Sequence, residues 1–191
     1  MKTLVFGKDG QLGRAFKSLF DNYLVVPNLD LQVQYVGRAE CDLANSTEIN
    51  VLLSQESPDL IINASAYTAV DKAENLGERE IAFAINAKAP AMMARYIANV
   101  SHGILVHYST DYVFADTKQD TYFETDPVGP VENLSVYGQS KLAGEQVIEE
   151  VFNLAHDSGH TSYADKFARY FILRTSWVYG DGGNFIRTML R

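Results

Sequence analysis

A glycine-rich loop that joins a short apolar run to a helical pattern constrains the fold of this chain more than any other feature. The run Thr3 to Phe6 predicts a buried strand, and Gly7, Gly10 and Gly13 follow it before a helical pattern begins. Glycines permit a tight turn and a close approach of the backbone, while a helix N-terminus presents free N–H groups. The spacing is Gly-x-x-Gly-x-x-Gly rather than Gly-x-Gly-x-x-Gly, so a simple tight turn is the alternative. The position directly after a strand favours a loop that binds a dinucleotide pyrophosphate.

Apolar runs alternate with helical patterns along the whole chain. Beyond the first run, strands are predicted at Gln32 to Val36, Leu60 to Asn63, Ile104 to Tyr108 and Tyr170 to Arg174. Such alternation predicts an α/β fold with a doubly wound parallel sheet of the Rossmann type. The 191 residues are enough for one hydrophobic core and too few for two comfortable ones. We therefore expect a single domain over residues 1–191.

The segments between the predicted strands carry helix signals. Asn45-Ser46-Thr47-Glu48 is typical of a capping box at a helix start. Ala82 to Val100 predicts a long apolar helix that Pro90 kinks or restarts and that Gly103 closes. Val136 to Glu150 predicts another helix, and residues 184–191 begin a further one. The polar segment 115–134 is interpreted as a loop over the site.

Composition and charge exclude several classes of function. The formal net charge is −8 at pH 7 and no basic stripe is present, which argues against a nucleic-acid partner. No apolar run has the length needed to cross a bilayer, and the N-terminal apolar run is too short for a signal peptide. The single cysteine, Cys41, excludes an internal disulfide and fits a reducing compartment, so we expect a cytoplasmic protein.

Tyr137 and Lys141 are a candidate acid/base pair. They lie four residues apart in a predicted helix, so both side chains share one helical face about one turn apart. An ammonium beside a phenol favours the phenolate, so we expect the pKa of Tyr137 to be lowered toward neutral pH. The alternative is a surface pair that shares a face by chance.

Polar and small side chains follow two of the predicted strands. Thr110 and Asp111 lie at the carboxyl end of the fourth strand, where ligands bind in open α/β sheets. Thr110 is therefore expected to donate a hydrogen bond to a substrate carbonyl beside Tyr137. Ala64-Ser65-Ala66 follows the third strand, where small side chains admit a flat ligand or allow tight helix packing. The convergence of these features indicates a nicotinamide-dependent oxidoreductase.

The end of the second predicted strand bears on the choice of cofactor. Gly37 and Arg38 stand where a carboxylate would bind an adenosine ribose, and the next acid is Glu40. An arginine there accommodates a 2′-phosphate, so NADP(H) is predicted over NAD(H), with a solvated surface arginine as the alternative. His156 and His160 have metal-ligand spacing, but Gly159 argues against a helix there, so no metal site is expected.

Several segments carry a resemblance that extends over the whole chain. They are Phe6-Gly7-Lys8, Gly10 to Gly13, Ala69 to Glu74, His107 to Phe114, Tyr137 to Glu145, Arg174 to Tyr179, and Asn184-Phe185. In these segments the chain resembles the extended short-chain dehydrogenase/reductases and, within them, the dTDP-4-dehydrorhamnose reductase family. The resemblance implies hydride transfer from NADPH, with NADH as an alternative, to the 4-keto carbon of dTDP-6-deoxy-L-lyxo-4-hexulose. The product, dTDP-L-rhamnose, would serve cell-surface polysaccharide.

The resemblance also implies roles for individual residues. Tyr137 would donate the proton, Lys141 would hold the nicotinamide ribose and tune Tyr137, and Thr110 would orient the C4 carbonyl. The other expected cofactor contacts are Gly7, Gly10, Gln11, Leu12 and Gly13 at the pyrophosphate, Arg38, Asp42 and Leu43 at the adenine end, and Ala64, Ser65, Ala66, Tyr67, Thr68 and Tyr108 along the cofactor. Thr110, Asp111 and Trp177 would contact the dTDP-sugar.

The chain departs from the family pattern in three places. The family has a further C-terminal region that builds much of the sugar-nucleotide pocket, and we expect this chain to lack it and to turn over poorly. Residues 132–135 precede the predicted catalytic helix as an insertion, and the polar stretch 156–166 is longer than usual. Two other functions stay open, a non-catalytic dinucleotide-binding subunit and an epimerase or dehydratase of the same superfamily. A homodimer is a further expectation.

Overall fold

One parallel sheet of five strands organises the computed structural model, which describes residues 1–22, 30–100, 102–114, 118, 120–157, 169–180 and 189–190. The strands are β1 (Lys2–Phe6), β2 (Gln32–Val36), β3 (Leu60–Asn63), β4 (Ile104–Thr110) and β5 (Arg169–Thr175). Their order is β2-β1-β3-β4-β5, and every pair is parallel. The predicted doubly wound α/β fold is confirmed, and β4 extends two residues beyond its predicted end.

Helices connect the strands. They are α1 (Gln11–Asn22), α2 (Ser46–Glu56), α3 (Val70–Ala73), α4 (Leu76–Phe83), α5 (Ala89–Ala98) and α6 (Val136–Asp157). The predicted capping box begins α2, because the Asn45 side chain accepts hydrogen bonds from the backbone N–H groups of Thr47 and Glu48. The Asn45 amide also donates to Glu48 Oε1 at 2.8 Å.

The hydrophobic core lies between the sheet and one layer of helices. Leu4, Ile61 and Leu105 project from neighbouring strands onto α2, α5 and α6, and each is at most 2% exposed. Helix α1 covers the opposite face, where the ring of Phe16 contacts that of Tyr108 at 6.0 Å between centroids. Because strand side chains alternate between faces, Leu105 and Tyr108 lie on opposite sides of β4. Helices cover both faces of the sheet, so the carboxyl ends of the strands remain accessible at one end of it.

The long helix predicted at Ala82 to Val100 differs from the structure in its bounds and its regularity. It begins earlier, at Leu76, and the π-helical segment Ala84–Lys88 interrupts it before α5. Pro90 has no N–H to donate to the carbonyl of Asn86, and a π-helical turn accommodates that missing bond. Gly103 does not close the helix as predicted, because α5 ends at Ala98 and the chain reverses at His102, whose φ is 61°.

Other predictions fall partly outside the described residues. Residues 115–117 and 119 of the predicted loop are among these, as are residues 158–168 and 181–188 and position 191. The described part of that loop contains the short helical turn Val131–Asn133. Helix α6 continues seven residues past its predicted end at Glu150, to Asp157. Among the helices described, none combines the length and the apolar character that crossing a membrane requires.

Helix α6 packs closely on the π-helical segment through Gly144. A Cβ atom added at Gly144 would lie 2.2 Å from the backbone oxygen of Asn86, so only glycine fits without a shift of the backbone. This contact brings α6, which carries both Tyr137 and Lys141, against the helices that follow β3.

We predict that Gly144→Ala lowers the free energy of unfolding by about 1–3 kcal/mol, because the methyl group overpacks the contact with Asn86. Gly77→Ala is the matched control, since nothing lies within 4 Å of a Cβ at Gly77 in helix α4. The control should leave stability unchanged or raise it by up to about 1 kcal/mol. Urea unfolding of both variants measures the difference, and equal midpoints would contradict the close-packing account.

Candidate active site

A crevice of about 950 Å³ runs along the carboxyl ends of the strands, where the order reverses between β1 and β3. Open α/β sheets bind ligands at such a reversal. Nearly all the residues singled out from the sequence line this crevice, namely Gly7, Gly10, Gln11, Leu12, Arg38, Asp42, Leu43, Ala64, Ser65, Ala66, Tyr67, Thr68, Tyr108, Thr110, Asp111, Tyr137, Lys141 and Trp177. The structure thus brings together segments that lie far apart in the chain.

The glycine loop forms one wall of the crevice by direct contact with the end of β3. Gly7 has a φ of 86°, and a Cβ there would lie 2.7 Å from the backbone oxygen of Ala64. Gly13, which was expected to bind cofactor, does not line the crevice. A Cβ at Gly13 would lie 2.1 Å from the oxygen of Gly7, so the absence of a side chain there lets α1 pack against the loop. This glycine therefore has a packing role.

The adenine end of the crevice carries opposite charges. The Arg38 side chain is 85% exposed and lies 3.6 Å from Asp42 Oδ2, a weak surface pair. Glu40 lies outside the crevice lining, where it accepts hydrogen bonds from the Gly37 N–H at 2.8 Å and from Lys8 Nζ at 2.6 Å. Glu40 is therefore already engaged, whereas Asp9, whose carboxylate adjoins Gly37, and Asp42 line the crevice beside the exposed Arg38.

Tyr137 and Lys141 both face the crevice from α6, as the sequence predicted. Tyr137 is 9% exposed and Lys141 is 1% exposed. Lys141 Nζ donates a 2.6 Å hydrogen bond to the backbone carbonyl of Tyr108, two residues before the end of β4. The alternative of a surface pair is therefore wrong.

Burial, rather than the neighbouring ammonium, dominates the acidity of the pair. Desolvation raises the pKa of Tyr137 above its ordinary value; a hydrogen bond with Thr110 opposes this rise, while Asp111 and Tyr112 add to it. Desolvation also lowers the pKa of Lys141 to about 8, against the attraction of Glu145. The expectation that the pKa of Tyr137 would be lowered is wrong, because removing a phenolate from water costs more than its polar neighbours return.

The end of β4 supplies hydroxyl groups to the same place. Thr110 is 6% exposed, and its Oγ1 donates to Asp111 Oδ1 at 3.1 Å and accepts from the Tyr112 N–H at 3.3 Å. Ser109, 5% exposed, also lines the crevice, and among the described residues its hydroxyl has no hydrogen-bond partner. A buried hydroxyl without a partner is suited to meet a polar ligand group.

Two contacts that sequence reasoning missed hold α6 in place. Glu74 Oε1 accepts a 2.9 Å hydrogen bond from the N–H of Val136, the first residue of α6. Asn86 binds both backbone groups of Tyr67, at 2.9 and 3.1 Å, and donates to Ser140 Oγ at 2.9 Å. The segment Ala69 to Glu74 was singled out in the sequence for its resemblance to the family, but that resemblance gave no role for Glu74.

A buried ion pair joins α6 to β5. Glu145 is 2% exposed and accepts three hydrogen bonds from the Arg174 guanidinium, at 2.8, 3.1 and 3.2 Å. The guanidinium also lies 5.1 Å from the centre of the Phe114 ring. Breaking such a pair leaves a buried charge uncompensated, so the contact fixes the end of β5, from which Trp177 reaches the crevice.

No metal centre emerges from the part of the chain that the structure describes. Within it, no group of three or more His, Cys, Asp or Glu side chains could hold an ion. His160 lies outside the described residues, so the pair with His156 stays a matter of sequence alone.

Similarity to known proteins extends over the whole chain. The family model described as the RmlD substrate binding domain matches residues 1–191. The dTDP-4-dehydrorhamnose reductases of Salmonella typhimurium and Escherichia coli are each 38% identical to this chain over 193 aligned residues. The alignments cover 100% of this chain and 56% of each relative, so the chain spans a little over half their length.

Solved structures show the same relation. A dTDP-4-dehydrorhamnose reductase from Clostridium acetobutylicum aligns with a TM-score of 0.80 and 32% identity, covering 100% of this chain and 58% of its own. The reductase of the same name from Bacillus anthracis, solved in complex with NADP, aligns with a TM-score of 0.74 and 32% identity. That alignment covers 99% of this chain and 58% of the other.

The fully buried His107, beneath Lys141, predicts a pH dependence of stability. Burial and the nearby Lys141 hold the pKa of His107 well below 6.5, so the folded protein keeps it neutral while the unfolded chain takes up a proton below that pH. Its contribution to stability is therefore full above pH 6.5 and is lost as the pH falls further. We expect His107→Gln to remove a slope of up to about 1.4 kcal/mol per pH unit on the acid side.

Urea unfolding at a series of pH values checks this expectation. His102→Asn is the control, because His102 is an exposed histidine whose positive φ asparagine tolerates. The control should keep the parent's acid slope. An unchanged slope in His107→Gln would show that the buried imidazole does not titrate as described.

Proposed function

The chain belongs to the RmlD substrate binding domain family, and from that membership we propose that it carries out the NADPH-dependent reduction of the 4-keto group of dTDP-6-deoxy-L-lyxo-4-hexulose to dTDP-L-rhamnose. One observation carries the proposal: Thr110, Tyr137 and Lys141 converge on a crevice walled by the glycine loop. A module that only binds a dinucleotide has no need of a phenol and a hydroxyl directed at one point. The relatives' names support the substrate.

The crevice fits a dinucleotide. Its volume of about 950 Å³ is at the upper end for ligand pockets. Gly7 and Ala64 are in backbone contact, which leaves room for a pyrophosphate over Gly10, Gln11 and Leu12 at the start of α1. Asp42 and Leu43 would meet the adenine end, and Ala66, Tyr67 and Thr68 would border the rest of the cofactor.

The chemistry divides between the cofactor and the protein. NADPH, when bound, supplies the hydride to the 4-keto carbon. Tyr137 donates its phenolic proton to the carbonyl oxygen as negative charge develops there, so it stabilises the transition state more than the ground state. Its raised pKa keeps the phenol protonated at neutral pH. Thr110 favours the phenolate left behind, for which its single hydroxyl proton would turn from Asp111 Oδ1 to the Tyr137 oxygen. Lys141, anchored to the Tyr108 carbonyl, would hold the nicotinamide ribose.

The substrate side of the site consists of groups at the ends of β4 and β5. Thr110 and Asp111 would contact the sugar, and the Ser109 hydroxyl offers it a further hydrogen bond. Trp177, 54% exposed at the crevice rim, presents an aromatic surface to the nucleotide. The free, buried thiol of Cys41 fits a reducing, cytoplasmic setting.

The cofactor is NADPH in preference to NADH. Arg38 is exposed at the rim and Glu40 is held by Lys8 and Gly37, so a 2′-phosphate on the adenosine ribose would have a cation to pair with. The Bacillus anthracis relative was solved with NADP, which supports this preference.

We predict that Tyr137→Phe lowers kcat by about 10²–10⁴-fold and leaves NADPH affinity little changed, because only the proton donor is removed. The assay mixes the protein with NADPH and the 4-keto sugar nucleotide and follows the absorbance of the reduced nicotinamide. Tyr170→Phe, the same change on β5 next to Phe152, is the control and should keep the parent's rate. Unchanged turnover in Tyr137→Phe would refute its role.

The parent protein decides between the functions left open. NADPH oxidation that depends on the 4-keto sugar supports the reductase. Binding of NADPH, seen by its fluorescence, without any oxidation would reject the reductase in favour of a binding subunit. Isomerised sugar with no net loss of NADPH would indicate an epimerase.

We predict that Arg38→Ala raises the Michaelis constant for NADPH about tenfold and leaves that for NADH nearly unchanged, because only NADPH carries the 2′-phosphate. Arg95→Ala is the control, since Arg95 is exposed on α5 away from this crevice. Steady-state kinetics with both cofactors measure the ratio. Equal use of the two cofactors by the parent and by Arg38→Ala would contradict the assignment.

A further inference from the structure

A row of buried polar side chains leads from Lys141 away from the crevice and returns to it at Ser65. Lys141 Nζ lies 3.4 Å from His107 Nε2, and His107 Nδ1 lies 3.0 Å from Asn63 Nδ2. Asn63 Oδ1 accepts hydrogen bonds from the backbone N–H of Ser65, at 3.2 Å, and from its hydroxyl. His107 and Asn63 are 0% exposed and Lys141 is 1% exposed. The proposed reaction assigns no role to His107 or Asn63.

Strand register builds this row. Asn63, the last residue of β3, pairs with His107 in the middle of β4, so their side chains leave the sheet side by side on the face that α6 covers. Lys141 reaches the same point from α6. Polar side chains that are this deeply buried are costly unless each is satisfied, so the orientation of every member matters.

The contacts of Asn63 settle which imidazole nitrogen carries the proton. The two donors of Ser65 hold the amide oxygen, so the amide NH₂ is the end that faces His107 Nδ1. Nδ1 must then accept, and a neutral imidazole that accepts at Nδ1 carries its proton on Nε2. That N–H is directed at Lys141 Nζ, which can accept from it only as an uncharged amine.

We propose that His107 is a positioning residue for Lys141: its Nε2–H, fixed by Asn63 and Ser65, faces the Lys141 amine and disfavours the charged form. The other groups that face Lys141 act differently. The Tyr108 carbonyl and Glu145 favour the charge, although Glu145 is largely neutralised by Arg174 from β5. Tyr137 lies one turn back on the same helix and is protonated at neutral pH.

Ser65 gives this arrangement a connection to the ligand. It lines the crevice, so a bound dinucleotide that takes the hydrogen bonds of Ser65 releases the Asn63 oxygen. The amide can then turn its oxygen toward Nδ1, and the imidazole can carry its proton there instead of on Nε2. Lys141 can then take up a proton from solvent and donate to Nε2. Occupation of the crevice would thus favour the charged Lys141 that a ribose hydroxyl requires. This consequence rests on the proposed function, whereas the ionisation of Lys141 does not.

The test is a pH titration of Lys141 without any ligand, followed by NMR of protein labelled at the lysine ε-carbons. Lys141→Arg identifies the signal. The parent should titrate with a pKa near 8. His107→Gln can turn its amide oxygen toward Nζ, and Asn63→Leu frees the imidazole to accept there. Both variants should therefore raise the pKa of Lys141 by about one unit, a tenfold change in the ionisation constant.

Thr3→Val is the matched control, because Thr3 is a buried residue of the same sheet whose hydroxyl has no hydrogen-bond partner among the described residues. It should leave the Lys141 titration unchanged. An unchanged or lowered midpoint in His107→Gln overturns the proposal, as does an ordinary lysine pKa in the parent. If Asn63→Leu does not fold, His107→Gln decides alone.

The titration is independent of turnover. A protein that fails to oxidise NADPH but shows the raised midpoints rejects the reductase and retains the role of His107. A protein that oxidises NADPH but shows no raised midpoint in the variants retains the reductase and rejects the role of His107.

Discussion

The hydrogen bond from Lys141 to the Tyr108 carbonyl is the contact on which the geometry of the site depends. An amine that is only 1% exposed must have hydrogen-bond partners. Its partner here is a main-chain carbonyl whose position the sheet fixes. The bond therefore sets the register of α6 against β4 and places Tyr137, one turn earlier, beside Thr110. Glu74 at the helix start and Gly144 against Asn86 hold the same helix from its other sides. Small shifts of any of these contacts would move the phenol away from the crevice.

Burial has opposite effects on the two members of the pair. It makes Tyr137 a weaker acid and Lys141 a weaker base, so the protein starts from a protonated phenol and an amine close to its own midpoint. Tyr137 is therefore a neutral phenol, and not a phenolate, at neutral pH. In the proposed reaction, Thr110 would act on the negative charge that appears on Tyr137 as its proton leaves, which is where stabilisation accelerates a chemical step.

Local signals predicted the fold well because each strand is a short apolar run between turn residues. Gln32–Val36 and Leu60–Asn63 match their predicted bounds, and the Asn45 cap was readable from four adjacent residues. Other features depend on distant partners. The close packing of α6 at Gly144 needs Asn86 opposite it, and the buried contacts of His107 need Asn63 and Lys141 on neighbouring elements. The pKa of Tyr137 was misjudged because helical spacing shows which groups are near but not how deeply they are buried.

Strand β5 lies at the end of the described sheet and bears two large apolar side chains on its outward face. Phe171 is 50% exposed and Leu173 is 41% exposed, alternating with the inward Tyr170 and Ile172. In the described ranges no strand pairs with the outer side of β5. An edge strand of this kind presents unpaired backbone N–H and C=O groups beside exposed apolar side chains. Another polypeptide segment could add to it as a further strand by β-augmentation. A lysine in place of Phe171 or Leu173 would disfavour such pairing.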